Sequence, residues 1–553
     1  MKKNYTLLLL LAMTLLGAAT QTKAQAPLTE PSIGLTFITE DENASLLIRA
    51  TAPTDGCWID LNGDGQCQDN EKIPKGVEKS AINLPKSLTK ATIYGPITYL
   101  NLSKTALTSI DLSKTNTLKE LWCYQTGITR LDVTGQPDLE MLFCYSNLIS
   151  RLDLSKNPKL KELGVQLCAL TSINLSKLPE LEVAVLSGNE LGTLDVTNNP
   201  KLKVLYCEKT KISALDLSKC PELTFIQCSM NYDLNSIDVS ALPKLEVLKA
   251  DIVGLESLDV TKNPKLKKLH LGGNKLTELD LSKNPLLEEL NLNNNKKLSS
   301  IDFLSGLPEL KMFTIKGISG LNDPDFSKNP NLEYINLARC GFKKVDLSHN
   351  PKIRRLYCER NELTELDLTK TPLLRDLIAF ENKLTKLDFS ACKELQYADI
   401  SVNEIAEPAM QVIVESIPKF QLLDTNFPAA GRFIAIDTME IDEKNIITDD
   451  QVNIATGKGW VLMTGNAGDP QPYPVAQPVK AKTAVYYSVL DQCLHIRLAE
   501  ELPATMLKVY NLLGEEVMSE LYDQEDSSIY VGYLPQGAYI VQVGDASYKF
   551  VKR

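Results

Sequence analysis

One spacing constrains this chain more than anything else in it. Asp or Asn, then an apolar residue, then Ser or Thr recurs at Asp111, Asp132, Asp153, Asn174, Asp195, Asp216, Asp238, Asp259 and Asp280. After Asp302, where the Ser/Thr is missing, the pattern resumes at Asp325, Asp346, Asp367 and Asp388. The intervals are ten of 21, two of 22 and one of 23 residues. Such a period means that each unit buries its apolar side only by stacking on its neighbours. At 553 residues the chain is also too long for one compact core of ordinary size, and an array answers both constraints.

One full unit runs from Leu356 to Pro372 as "LYCERNELTELDLTKTP". It reads L-x-x-L-x-L/C-x-x-N-x-L, the pattern of a leucine-rich repeat. Side chains alternate along a strand, so Leu121 and Cys123 point inward while Glu120, Trp122 and Tyr124 point outward. The Asn position (Asn147, Asn189, Asn274, Asn361, Asn382) falls at a turn, where an amide can satisfy backbone groups of the next coil. A unit this short has no room for a full outer helix. The expected fold is an α/β-type or mostly β solenoid of about 14 repeats of 21–23 residues, flanked by an N-terminal β domain and a C-terminal β-sandwich. The "LTxLDLSxNP" wall resembles that of bacterial internalin-like repeats.

The repeat also accounts for nine of the twelve cysteines. Cys123, Cys144, Cys207, Cys228 and Cys358 take the inward Leu position, Cys168 and Cys340 the Asn position, and Cys220 and Cys392 a turn. Cys123–Cys144 and Cys207–Cys228 stack on adjacent coils, where ladder spacing also permits a bond. The reading favours thiols. No C-x-x-C pair supports zinc or thioredoxin-type chemistry.

Before the repeats, Asp60, Asn62, Asp64, Gly65 and Glu71 fit the calcium loop D-x-[DN]-x-[DN]-G-x5-E. Ca²⁺ takes six to eight oxygens, and here Asp60, Asn62 and Asp64 would wrap it, Gln66 lend a carbonyl, Gln68 a water-mediated contact and Glu71 two oxygens. The flanking sequence is strand-like, so the loop would be structural rather than a sensor. The other reading is an Asp/Asn/Gly turn with no metal. Cys57 and Cys67 flank the loop, with a bridge across it left open.

The ends say where the chain goes. Lys2 and Lys3, an apolar run from Leu7 to Leu16 and a small-residue exit at Ala24 are the parts of a secretory signal peptide. From about Lys482 the pattern turns to short alternating strands, ending in "VYNLLGEEV", "LPQGAYIVQV" and a terminal Lys-Arg. This resembles the C-terminal sorting domain of the type IX secretion system of Bacteroidota. The resemblance implies passage across the outer membrane, with Gly514, Pro535, Gly537, Lys552 and Arg553 carrying the sorting motifs. The expected domains are a signal peptide (1–24), an N-terminal β domain (25–96), leucine-rich repeats (97–405), a cap (406–464), a Pro-rich linker (465–482) and the sorting domain (483–553).

Composition narrows the function. Lys+Arg 59 against Asp+Glu 70 gives a net charge of -11, unfavourable for a polyanionic partner, so nucleic acid is not expected. Three histidines and no G-x-S-x-G, H-E-x-x-H or phosphate loop argue against an enzyme. No stretch of 18 apolar residues predicts a transmembrane helix in the mature protein. What remains is the outward face of the strands. Aromatics cluster there at Trp122, Tyr124, Phe143 and Tyr145, with Tyr206, Tyr357 and Phe380 further along. Aromatic anchors are enriched in binding hot spots. The expected function is adhesion or protein recognition at the cell surface, with a host or bacterial surface protein or a surface glycan as partner. The alternatives are a structural surface-layer or biofilm component, or rings that only pack on the N-terminal domain or on one another.

Overall fold

The computed structural model describes residues 31–37, 47–76, 80–84, 88–421, 431–437, 440, 443–464 and 471–472, and most of 484–552 apart from 489–492, 498–504, 512–513, 523–527, 532–533 and 544–545. The expected signal peptide, most of the expected linker and Arg553 lie outside the described residues. The chain is a β-solenoid of about 14 turns and divides into two compact units, residues 1–148 and 149–553.

In the first unit an antiparallel sheet orders the strands Trp58–Asp60, Lys90–Tyr94, Pro31–Phe37 and Leu107–Asp111. Its buried side holds Ile33, Leu35, Ile59 and Ile93. A second set places Leu47–Thr51 against both Ser80–Asn83 and Tyr99–Asn101, and the latter starts a parallel ladder with Glu120–Trp122 and Met141–Phe143. The first coil is thus stitched to the N-terminal strands. An open solenoid end would otherwise expose an apolar edge.

The second unit continues as three-residue parallel strands, each in register with the next, from Glu162–Gly164 to Tyr397–Asp399. The inward residues are sealed: Leu205, Cys207, Ile226, Cys228, Leu356 and Cys358 are all 0% exposed. After each strand one residue takes a left-handed conformation, as at Lys209 (φ 53), Met230 (φ 59), Arg360 (φ 56) and Glu381 (φ 51). Gly188, Gly273 and Gly317 fill the same place. Only glycine adopts it without steric cost.

The Asn ladder forms as expected. Asn189 donates to the carbonyls of Val165 and Leu186 at 2.8 Å each and accepts the N–H of Leu170 at 3.1 Å. A second ladder runs through the Asn of "Asn-Pro": Asn199 donates to the carbonyls of Leu175 (3.0 Å) and Leu178 (2.8 Å), and Asn263, Asn284, Asn329 and Asn350 repeat the motif, all 0% exposed. Cys220 belongs to this column, its thiol donating to the carbonyl of Val196 at 3.3 Å. The periodic Asp is local: Asp195 Oδ1 accepts from the N–H and hydroxyl of Thr197, and these bonds hold its carboxyl below the usual range. Its exposure and self-contained bonding make it architectural.

Two strands, Gly431–Ile436 and Trp460–Thr464, extend the ladder past the repeats. They carry two helices, Glu407–Ser416 and Asp449–Gly457, the second opened by a Thr448/Gln451 capping box. Lys458 closes the first by donating to the carbonyls of Val414 (3.1 Å) and Ile417 (2.9 Å). The tail folds as one sheet of Glu516–Tyr522, Thr505–Asn511, Gly537–Val543 and Ala546–Lys552 and another of Ala484–Ser488, Cys493–Arg497 and Ser528–Tyr530. Leu494, Leu507, Val509, Val541 and Phe550 form its core. Among the described residues no helix is long and apolar enough to cross a membrane.

Candidate functional site

The alternation that buries Leu121, Cys123, Leu142 and Cys144 turns Trp122, Tyr124, Phe143 and Tyr145 outward. Trp122 and Phe143 face each other in the ladder, and their rings stack with centroids 4.2 Å apart. Tyr124 and Tyr145 stack at 4.3 Å and an interplanar angle of 5°. All four are half-buried. Burial, then the neighbouring Tyr124, pushes the Tyr145 phenol well above its ordinary value, so this ring stays uncharged at any physiological pH. The rings therefore do stack on one another, and they still leave surface exposed.

The second unit divides the remaining predicted anchors. Tyr206 is half-buried and tilts against Phe225 at 4.6 Å, a ring the sequence analysis did not single out. Phe380 lies under the Arg360 guanidinium, 5.5 Å from its centroid, while that guanidinium also grips Glu381 at 2.9 Å. Tyr357 is a correction. It is 3% exposed and meets Tyr334 edge-on at 5.3 Å, so it is not an accessible anchor. Outward direction is set by the strand, but bulky neighbours in adjacent columns decide exposure.

The same crowding buries carboxylates that sequence reasoning missed. Asp376 is 1% exposed beside Arg355 Nε at 3.2 Å, and burial pushes it up to about 6 against the pull of that guanidinium. Asp399 is 9% exposed and is pushed up to about 7, by burial first and then by Asp437 and Glu359. An Asp in the outward column gives no sequence signal of this, because cover comes from residues one coil away.

The Asp60–Glu71 loop is compact. Asp60 Oδ1 accepts from Gly63 N–H at 2.6 Å and its Oδ2 from Gly65 N–H at 3.1 Å. Asp64 Oδ1 accepts from Gln66 N–H at 2.8 Å, and Asn62 donates to Asp64 Oδ2 at 2.8 Å. Glu71, 1% exposed, returns to accept from the N–H groups of Leu61 (2.8 Å) and Gln68 (3.0 Å). The donor set suits a hard cation in kind, but Asp60 Oδ1 also accepts the Asn62 N–H at 3.3 Å and Asp64 Oδ2 the Gln68 amide at 3.1 Å, so these two oxygens are already doubly bonded. In this conformation the carboxylates serve the loop itself, and among the described residues no three His, Cys, Asp or Glu side chains are grouped to hold a metal. Cys57 and Cys67 are separate thiols, with Cys57 Sγ donating to the Pro96 carbonyl at 2.8 Å.

In the tail, Gly514 is left-handed (φ 82). Lys552 is 8% exposed, its ammonium donating to the carbonyls of Val531 (3.0 Å) and Leu534 (2.6 Å). Pro535 offers its carbonyl to the Tyr539 hydroxyl at 2.7 Å. The near-terminal lysine thus pins the turn that precedes the strand starting at Gly537.

Comparison with known proteins agrees with this division. Residues 264–306 match the leucine-rich-repeat family in two copies, and residues 490–553 match the secretion system C-terminal sorting domain. The chain is a leucine-rich-repeat protein with a type IX secretion tail. That tail marks export to the cell surface or the extracellular space. The fold is similar to that of the functional domain of InlJ from Listeria monocytogenes, which includes a cysteine ladder. The TM-score is 0.55 at 23% identity, covering 82% of this chain and 90% of that one. A leucine-rich-repeat protein of Leptospira interrogans is similar at a TM-score of 0.52 and 18% identity, covering 62% of this chain and 88% of that one. At such identities the likeness shows the fold alone. No curated protein sequence matches the chain.

Proposed function

We propose that this exported repeat protein is a binding protein rather than a catalyst, and that it captures a protein partner through the outward face of its strands. The observation that carries the reading is the double stack of Trp122 on Phe143 and Tyr124 on Tyr145, half-exposed on residues the core does not use. Rigid rings give contact area at little cost in side-chain entropy, which is why they anchor hot spots. An alanine scan of the outward column, read as adhesion of cells displaying the full chain to host or bacterial surface proteins, tests it. A focal loss at the four rings supports binding; a flat profile favours a structural surface component instead.

We further propose calcium at the Asp60–Glu71 loop, as a structural tie. A ligand held only by the folded form stabilises it by RT ln(1 + [L]/Kd). Extracellular sites with Kd of roughly 10⁻⁴–10⁻³ M would gain about 1 kcal/mol from millimolar calcium. Calorimetry of the full chain should show that gain, and Glu71→Ala should remove it. No calcium-dependent shift would mean that the loop is held by its own N–H groups alone.

A further inference from the structure

Asn62–Gly63 is the one Asn-Gly step in the chain, and it lies at the exposed tip of the Asp60–Glu71 loop. Gly63 is left-handed (φ 75), and a Cβ built on it would meet nothing within 4 Å. A residue without a side chain leaves its backbone nitrogen open to close approach by the preceding amide. In a flexible peptide, the two groups and a base must find one another by chance. Here the loop holds them together.

Asn62 Oδ1 accepts the Asp64 N–H at 3.0 Å. That bond spans Gly63, so it folds the amide carbon Cγ back toward the Gly63 nitrogen lying between. The same N–H is aimed at the oxygen on which negative charge develops when Cγ is attacked. Asp60 Oδ1 accepts the Gly63 N–H at 2.6 Å, the distance of a base from the proton it takes. Asp60 is itself 5% exposed and is fixed on its other side by the Gly65 N–H, 3.1 Å from Oδ2. The leaving nitrogen, Nδ2, donates to Asp64 Oδ2 at 2.8 Å on an exposed side chain, where water reaches it.

We propose that Asn62–Gly63 is a self-modifying step, at which the geometry of the loop converts Asn62 to aspartate and isoaspartate. The Gly63 nitrogen bonds to Asn62 Cγ as its proton passes to Asp60 Oδ1. The Cγ–Nδ2 bond then breaks, and the nitrogen leaves as ammonia with a proton supplied by water. Asp60 returns its own proton to solvent. Water opens the resulting succinimide ring at one carbonyl or the other, so one water is consumed and one ammonia released. Either product alters the loop: Asp64 Oδ2 loses the Asn62 amide donor and faces a second carboxylate, and isoaspartate also lengthens the backbone there. The step depends neither on calcium at this loop nor on the aromatic rings.

Mass spectrometry of the peptide carrying residues 62–63, taken over time from the full chain at neutral pH, reads the step directly. A chelator is present throughout, so that no divalent cation occupies the carboxylates. Asn62 in the folded chain should deamidate about tenfold or more faster than in the same chain held unfolded in concentrated urea. Asp60→Asn should bring the folded rate down to about the unfolded one. Asp69→Asn, at the exposed Lys72 pair, should keep the wild-type rate. Deamidation no faster in the folded chain than in urea overturns the proposal, and so does an Asp60→Asn chain that reacts at the wild-type rate. The first comparison uses the unaltered chain, so it decides the matter even where a variant fails to fold.

Discussion

Two places along the outward column follow the same rule and end differently. At Trp122 and Phe143 the rings stand out from sealed Leu121 and Leu142 and stay half-exposed. At Tyr357 and Asp399, in the second unit, equally outward positions are 3% and 9% exposed. Strand alternation fixes which way a side chain leaves the backbone. Whether it meets solvent depends on its neighbours across the ladder. Around Trp122 the partners are another ring and Asn101; around Tyr357 they are Tyr334, Asn336 and Ile378. One end of the pattern therefore yields an accessible apolar patch, and the other a covered one in which carboxylates resist ionisation.

The sharpest way to break this contrast is to truncate one ring from each place. Tyr357→Ala should cost about 3–4 kcal/mol, since it empties space that neighbouring side chains cannot refill. Trp122→Ala should cost only about 1 kcal/mol, the worth of its stack on Phe143. Denaturant unfolding of the two variants checks the order. Equal costs would mean that the burial difference does not govern stability.

A smaller effect sharpens the electrostatic half. Glu289 is partly buried, which alone would raise it, but His270 and Lys268 hold it down to about 2. Among the described residues no such cation pairs with Asp399, and burial raises it to about 7. For Glu289 the folded value is depressed, so its stabilisation is present above the ordinary value near 4.5 and is lost as pH falls through about 2. Glu289→Gln should therefore destabilise by about 1 kcal/mol at neutral pH, a modest loss because solvent still reaches the pair, and by almost nothing near pH 2. Thermal midpoints of this variant and the wild type across pH check it; a pH-independent loss would assign the effect to packing.

Much of the fold was legible because the period-2 strand rule and the 21-residue spacing act on every coil alike. Leu121, Cys123 and Cys207 could be placed inward from position alone, and Asn147 and Asn189 at a turn in need of an amide. The Asn-Pro ladder was missed at Asn199 and Asn350 because Asn before Pro reads equally well as an ordinary turn. The joining of Leu107–Asp111 to the strand Pro31–Phe37 was not visible either, since it is a pairing across more than seventy residues that no local pattern announces. For the site, direction was legible and exposure was not: Trp122 and Tyr357 carry the same positional signal. The loop at Asp60 was recognisable as a unit, whereas its use of Glu71 to hold Leu61 and Gln68 depends on how the chain returns.

On the proposed reading the fold does not depend on the rings, whereas capture of a partner does. Trp122→Ala combined with Phe143→Ala in the full chain, measured for thermal midpoint and for adhesion on the same preparation, tests both halves. We expect a midpoint lowered by no more than a few degrees, corresponding to about 1 kcal/mol, with adhesion abolished. A stable variant that adheres as the wild type does, or one that unfolds before adhesion can be read, would contradict the account.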